Sequence, residues 1–120
     1  MEKNYNKNLG DKGEFEATKY LEMLDYTIIA RNYITINGEI DIIAKDKNEY
    51  VFIEVKTRTS KEYGVPVEAI NKHKKSHILR ASEYYIYKNG LNSEFIRFDI
   101  IEVYINQKNK FINHIKNVFF

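Results

Sequence analysis

Asp41, Glu54 and Lys56 are the residues whose types and spacing can do chemistry in this chain. They fall in two β-rich runs, EIDIIAK at 39–45 and YVFIEVKTR at 50–58, separated by the polar segment DKNE at 46–49. Side chains alternate along a strand, so Val51, Ile53, Val55 and Thr57 share an apolar face suited to the core, and Phe52, Glu54, Lys56 and Arg58 share the other. By the same rule Glu39, Asp41 and Ile43 lie together, opposite Ile40, Ile42 and Ala44. A symmetric turn centred between Lys47 and Asn48 makes paired positions sum to 95, which sets Asp41 opposite Glu54 and Glu39 opposite Lys56. An odd-length turn would instead slip the register and put the two carboxylates on opposite faces.

Directly opposed residues have Cβ atoms roughly 4.5–5.5 Å apart, where two carboxylates repel. A proton on one of them relieves the repulsion, but a hard divalent cation does so better, because it takes oxygen ligands and keeps positions for water and phosphate. Mg²⁺ or Mn²⁺ would be held by Asp41 and Glu54, with the backbone carbonyl of Val55 and with Glu14, which reaches the site directly or through a water. Glu16 is the less favoured substitute for Glu14. The Lys56 ammonium could orient or help deprotonate the attacking water, or neutralise the phosphate under attack. A strand of alternating Glu and Lys is more often a solvated ion-pair ladder, and Glu39 opposite Lys56 would serve that reading. The combination of GEID, IEVKTR at hairpin distance and an acidic residue on the preceding helix favours chemistry.

These residues need a frame. Leu9, Gly13, Ala17, Tyr20, Leu21 and Leu24 recur at helical spacing and predict a helix over residues 9–24. Residues 26–33, 39–45 and 50–58 predict a three-stranded antiparallel meander, with Asn37-Gly38 as the first turn. Residues 66–89 carry Val67, Ile70, Lys74, His77, Ile78, Ala81 and Tyr85 on one side, and Gly90 stops this second helix. Residues 94–105 and 111–115 predict two final strands. The order αβββαββ implies one α/β domain over residues 1–120, with a central mixed five-stranded sheet flanked by helices.

Composition bounds the rest. With 43% hydrophobic and 30% charged residues, the 120-residue chain is an ordinary globule with room for one core. It has no cysteine, which excludes disulfides, thiolate metal sites and a thiol nucleophile. No stretch approaches the ~20 apolar residues that span a bilayer, so no membrane partner is expected and the cytoplasm is the default location. The net charge of +2 is uninformative, but Lys72, Lys74, Lys75 and Arg80 make a local basic run on the second helix. With Arg58 they are candidate phosphate contacts, and a solvated helix face is the alternative for the run. His73 and His77 stand four apart without the glutamate of a zinc helix, which leaves them as surface or phosphate-facing residues. Asp99 is expected to pair with an arginine and brace the sheet. Metal-assisted hydrolysis is the only chemistry with a full cast.

At GDKGEFEA (10–17), RNY (31–33), GEIDIIA (38–44), FIEVKTR (52–58), EA (68–69), KK (74–75), RFD (97–99) and the closing 114–120, the chain resembles the PD-(D/E)XK nuclease superfamily. Within it, the chain closely resembles the YraN-like family of small bacterial proteins predicted to be endonuclease-like. Archaeal Holliday-junction resolvases are similar in a sparser way. The resemblance implies the restriction-endonuclease-like fold, with Asp41 and Glu54 as metal ligands, Lys56 as catalytic lysine and Glu14 as the helix carboxylate. Ile40 stands where the superfamily's name puts proline. The implied activity is divalent-metal-dependent cleavage of nucleic acid, DNA favoured, and a homodimer would favour branched DNA. The alternative is a nucleic-acid-binding module whose nuclease site is vestigial.

Overall fold

A computed structural model describes residues 2–59, 72–92 and 95–118, with the side chains of residues 2–6, 72 and 73 outside the description. Helix α1 (Glu2–Met23) leads into strands β1 (Thr27–Thr35), β2 (Gly38–Asp46) and β3 (Glu49–Arg58). Helix α2 (Lys72–Lys88) follows, then β4 (Ile96–Ile105) and β5 (Lys110–Ile115). The strands form one sheet in the order β1-β2-β3-β4-β5. Among the described strands only the β3–β4 pair is parallel, and α2 lies on the connection between those two strands. This mixed α/β sheet between two helices, ordered αβββαββ, is the restriction-endonuclease-like architecture that the sequence predicts.

α1 extends the predicted helix backwards by seven residues and stops through backbone geometry. Tyr26 N–H donates to Leu21 O at 3.0 Å and Asp25 N–H to Glu22 O at 3.0 Å, with Asp25 at φ 67°. This is a Schellman stop with aspartate where glycine is usual. α2 ends in the same way, with Gly90 at φ 61°, Leu91 N–H on Ile86 O and Gly90 N–H on Tyr87 O. Its predicted start at residue 66, together with Val67 and Ile70, lies outside the described residues.

The sheet is covered on both faces, so β3 is buried on both. Ala17 and Leu21 of α1 pack with Ile42, Ala44, Val51, Ile53, Val55, Ile101 and Val103. On the other face Ala81 of α2 packs with Ile40, Ile43 and Phe52. The predicted alternation of β2 therefore fails at one point, since Ile40 joins Ile43 and not Ile42. The physical cause is irregular backbone: β1 carries a bulge between Ile28 and Ala30, and Asn32, between the pairs Arg31↔Ile42 and Tyr33↔Ile40, has φ 53°. A left-handed residue inside a strand turns the pleat and shifts which side chains face the core.

The first turn also differs from the reading. Ile36 and Asn37 are its central residues, because Gly38 already pairs with Thr35 as the first residue of β2. Thr35 Oγ1 accepts from Asn37 and Gly38 N–H, each at 3.1 Å. Gly38 has another role: a Cβ there would collide with the His77 carbonyl of α2. It lets the helix settle on the start of β2.

Candidate active site

The β2–β3 hairpin holds the predicted register. Asp46↔Glu49 closes a two-residue turn at Lys47-Asn48, and the ladder runs through Lys45↔Tyr50, Ala44↔Val51, Ile43↔Phe52 and Ile42↔Ile53. Asp41 and Glu54 are the next residues on each strand. There the ladder gives way to a side-chain bond: Val55 N–H donates to Asp41 Oδ2 at 2.8 Å. The backbone of β3 thereby fixes the Asp41 carboxylate at the point where the strands part.

Glu54 is buried, on the α2 side with Phe52. Two ammonium groups converge on one of its oxygens. Lys74 Nζ of α2 lies 3.1 Å from Oε1, and Lys56 Nζ lies 3.9 Å from the same atom. The other oxygen, Oε2, is buried and takes no hydrogen bond from a donor among the described residues. An unpaired buried acceptor costs about 1–3 kcal/mol, more when charged. Burial, and then the neighbouring Asp41 carboxylate, push the Glu54 carboxyl up to about 8, against the lowering pull of Lys74. For Lys74, burial opposes the charge, but the Glu54 carboxylate outweighs it and raises the ammonium above its ordinary value.

Glu14 is the third carboxylate. Oriented with its nitrogen towards the helix, the Asn32 amide donates to Glu14 Oε1 and Oε2 at 3.2 and 3.3 Å. Burial and then Asp41 push Glu14 up to about 7, with Arg31 opposing and Asp11 and Glu39 adding to the rise. Glu14 thus feels Asp41, but among the described residues no three His, Cys, Asp or Glu side chains are grouped as a metal-holding set. α1 brings it within the field of Asp41 and within reach of the Asn32 amide. Glu16 faces elsewhere, with Lys110 of β5 at 2.9 Å and Lys19 at 3.6 Å.

The donor set fits a hard cation on the strength of one atom and its neighbours. Glu54 Oε2 is a buried acceptor without a donor, and Asp41 beside it makes its negative charge costly. Mg²⁺ typically uses one or two carboxylates and keeps several waters, so Asp41 and Glu54 suffice as protein carboxylate ligands. Val55 contributes the N–H that orients Asp41, a role the sequence reading did not assign.

The other predicted contacts divide. Arg58 stands on the expected face of β3, but it is buried with its Nε on Glu102 Oε2 at 2.6 Å. The structure corrects it from phosphate contact to a brace between β3 and β4, because a buried guanidinium takes the carboxylate across the sheet. Lys75 is half-buried and Arg80 exposed, while the side chains of Lys72 and His73 lie outside the described residues. Lys74 turns inward, one helical turn before buried Ile78. Among the described residues Lys56 pairs with Glu54 of its own strand and not with Glu39.

Asp99 braces the molecule as expected, within a larger network that sequence reasoning missed. Arg97 donates to both Asp99 oxygens at 2.9 Å, to Asp46 at 3.0 Å, to Glu49 at 3.2 Å and to the Tyr26 hydroxyl at 2.7 Å. His114 joins Asp99 at 2.7 Å and the Tyr20 hydroxyl at 2.9 Å. Burial works against Asp99's charge, but hydrogen bonds from His114, Arg97 and the Asn117 backbone outweigh it and hold the carboxyl low. The only sequence signal was the alternation in RFD.

Fold and site define a small α/β protein of restriction-endonuclease-like architecture with a carboxylate pair where the hairpin strands part. The model of the uncharacterised protein family UPF0102 matches residues 13–103, and the chain belongs to that family, the YraN-like proteins of the sequence reading. A UPF0102 protein of Caldicellulosiruptor saccharolyticus is 44% identical over 115 residues, covering 94% of this chain and 98% of the relative. Relatives in Clostridioides difficile (46% over 114 residues; 95% and 98%) and Caldanaerobacter subterraneus (43% over 122 residues; 99% and 100%) are similar across nearly their full length. Among the described residues no helix is long and apolar enough to cross a membrane.

Proposed function

We propose that this chain is a divalent-cation-dependent nuclease that hydrolyses phosphodiester bonds, with DNA as the favoured polymer. The observation that carries the reading is Glu54: a carboxylate buried beside Asp41, one oxygen under two lysines and the other without a donor among the described residues. A structural ion pair has no use for the second carboxylate or for the orphan oxygen.

Asp41 and Glu54 would hold Mg²⁺ or Mn²⁺, which supplies Lewis-acid polarisation of the scissile phosphate. Val55 N–H keeps Asp41 aimed while the substrate enters. Lys56, one-third exposed at the mouth of the site, positions the attacking water and offsets charge growing on the phosphate. Glu14, held by Asn32, adds negative field that favours a cation at the pair.

The test is a cleavage assay on linear duplex, single-stranded, flapped and four-way-junction DNA with Mg²⁺ or Mn²⁺, comparing the wild type with Lys56→Ala and Glu54→Gln. Cutting by the wild type that both variants lose supports the reading and names the preferred substrate shape. Binding without cutting under either ion replaces it with the nucleic-acid-binding module.

A further inference from the structure

Lys74 occupies an unusual position for a residue of a basic helix run. Its ammonium lies 3.1 Å from Glu54 Oε1, closer than the strand lysine Lys56 at 3.9 Å, although its side chain is 44% exposed. Three features meet here: a long flexible stem, a solvent-accessible head and a buried carboxylate that a divalent cation would also claim. An ammonium and a divalent cation cannot both sit on one buried carboxylate without repelling each other. Among the described residues the ion pairs of Glu54 are with Lys74 and Lys56, and not with the neighbour Lys75.

We infer that Lys74 couples cation loading to nucleic-acid binding: its ammonium holds Glu54 in the cation-free protein and moves to a substrate phosphate when a divalent cation takes the carboxylate. This rests on the nuclease reading and deepens it. Lys74 is then held on Glu54 when the site is empty, and phosphate affinity rises when a cation loads it. Lys75 and Arg80 supply a constant electrostatic background, whereas Lys74 supplies a conditional contact. A lysine suits the task, since its ammonium is a point charge on a four-carbon stem that rotates freely between partners.

The experiment measures binding, not turnover. A fluorescent duplex is titrated with full-length protein in EDTA and in Ca²⁺, with the duplex checked for integrity, for wild type, Lys74→Met and Lys75→Met. Ca²⁺ binding to the wild type is measured alone by calorimetry. In EDTA, Lys74→Met should match the wild type; in Ca²⁺ it should bind about ten-fold more weakly, the scale of one lost phosphate contact. Lys75→Met should weaken binding by one factor in both buffers. In a Glu54→Gln background Lys74 is released from the outset, so Lys74→Met should cost about ten-fold already in EDTA. Circular dichroism checks folding, and Lys74→Gln substitutes if the methionine variant does not fold.

An equal loss in EDTA and Ca²⁺, or no loss in either, overturns the coupling and leaves the nuclease reading standing. A wild type that binds neither Ca²⁺ nor duplex overturns both.

Discussion

Replacing Glu54 with glutamine should make the cation-free protein more stable at neutral and alkaline pH, although it removes an ion pair. The Glu54 carboxyl is pushed from 4.5 to about 8 by burial and by Asp41, so the folded protein holds a proton there that the unfolded chain releases. Stability is therefore fully present below pH 4.5, falls as pH rises through the window between the two values, and stays lost above about 8. At ~1.4 kcal/mol per pH unit, the two and a half units between 4.5 and pH 7 amount to about 3 kcal/mol. The side chain is 4% exposed, so solvent screening takes little from this figure, whereas the lost partner Lys74 is 44% exposed and its pairing contributes ~1 kcal/mol or less.

The assay is urea unfolding in EDTA at pH 5, 7 and 8.5, following far-ultraviolet circular dichroism. The wild type should lose about 4 kcal/mol between the ends of this range relative to Glu54→Gln, three pH units at ~1.4 kcal/mol each. Mg²⁺ at one hundred times its dissociation constant should return ~2.7 kcal/mol to the wild type and little to the variant. Parallel pH profiles for the two proteins in EDTA would refute the reasoning, because Glu54 would then not be a carboxylate held at a cost.

Four other perturbations follow from the same geometry. Lys56→Ala should abolish cleavage while changing the melting temperature by only a few degrees, since its ion pair is long and one-third exposed. Arg97→Met leaves Asp99 buried without its bidentate partner and should cost about 3–5 kcal/mol in urea unfolding. Gly38→Ala drives a methyl group into the His77 carbonyl and should cost about 1–3 kcal/mol, with α2 amides exchanging faster in deuterium oxide. Asp25→Gly relieves the left-handed backbone at the end of α1 and should raise stability by up to about 1 kcal/mol, read as a higher urea midpoint.

Much of this was legible in the chain because it is local. The carboxylate pair follows from two-residue periodicity and a two-residue turn, both set within residues 38–58, and the observed ladder keeps the predicted register for five pairs. The element order and the stop at Gly90 were legible for the same reason. Ile40 was misplaced because Asn32, on a different strand, breaks the pleat opposite Asp41. Arg58 was read as free to meet phosphate because its partner Glu102 is 44 residues away on a strand that pairs in parallel.

By itself the sequence determined the α/β order, the hairpin register and the meeting of Asp41 with Glu54, with Lys56 two residues along the same face. Those depend on backbone periodicity and hydrogen-bond spacing, which neighbouring residues dictate. Only the tertiary structure decided that Lys74 reaches Glu54, that Asn32 meets Glu14, and that Arg97 gathers Asp46, Glu49, Tyr26 and Asp99. Each of these depends on how far a helix slides over the sheet or which strands become neighbours. Burial of the whole core settles such distances, and no spacing along the chain encodes them.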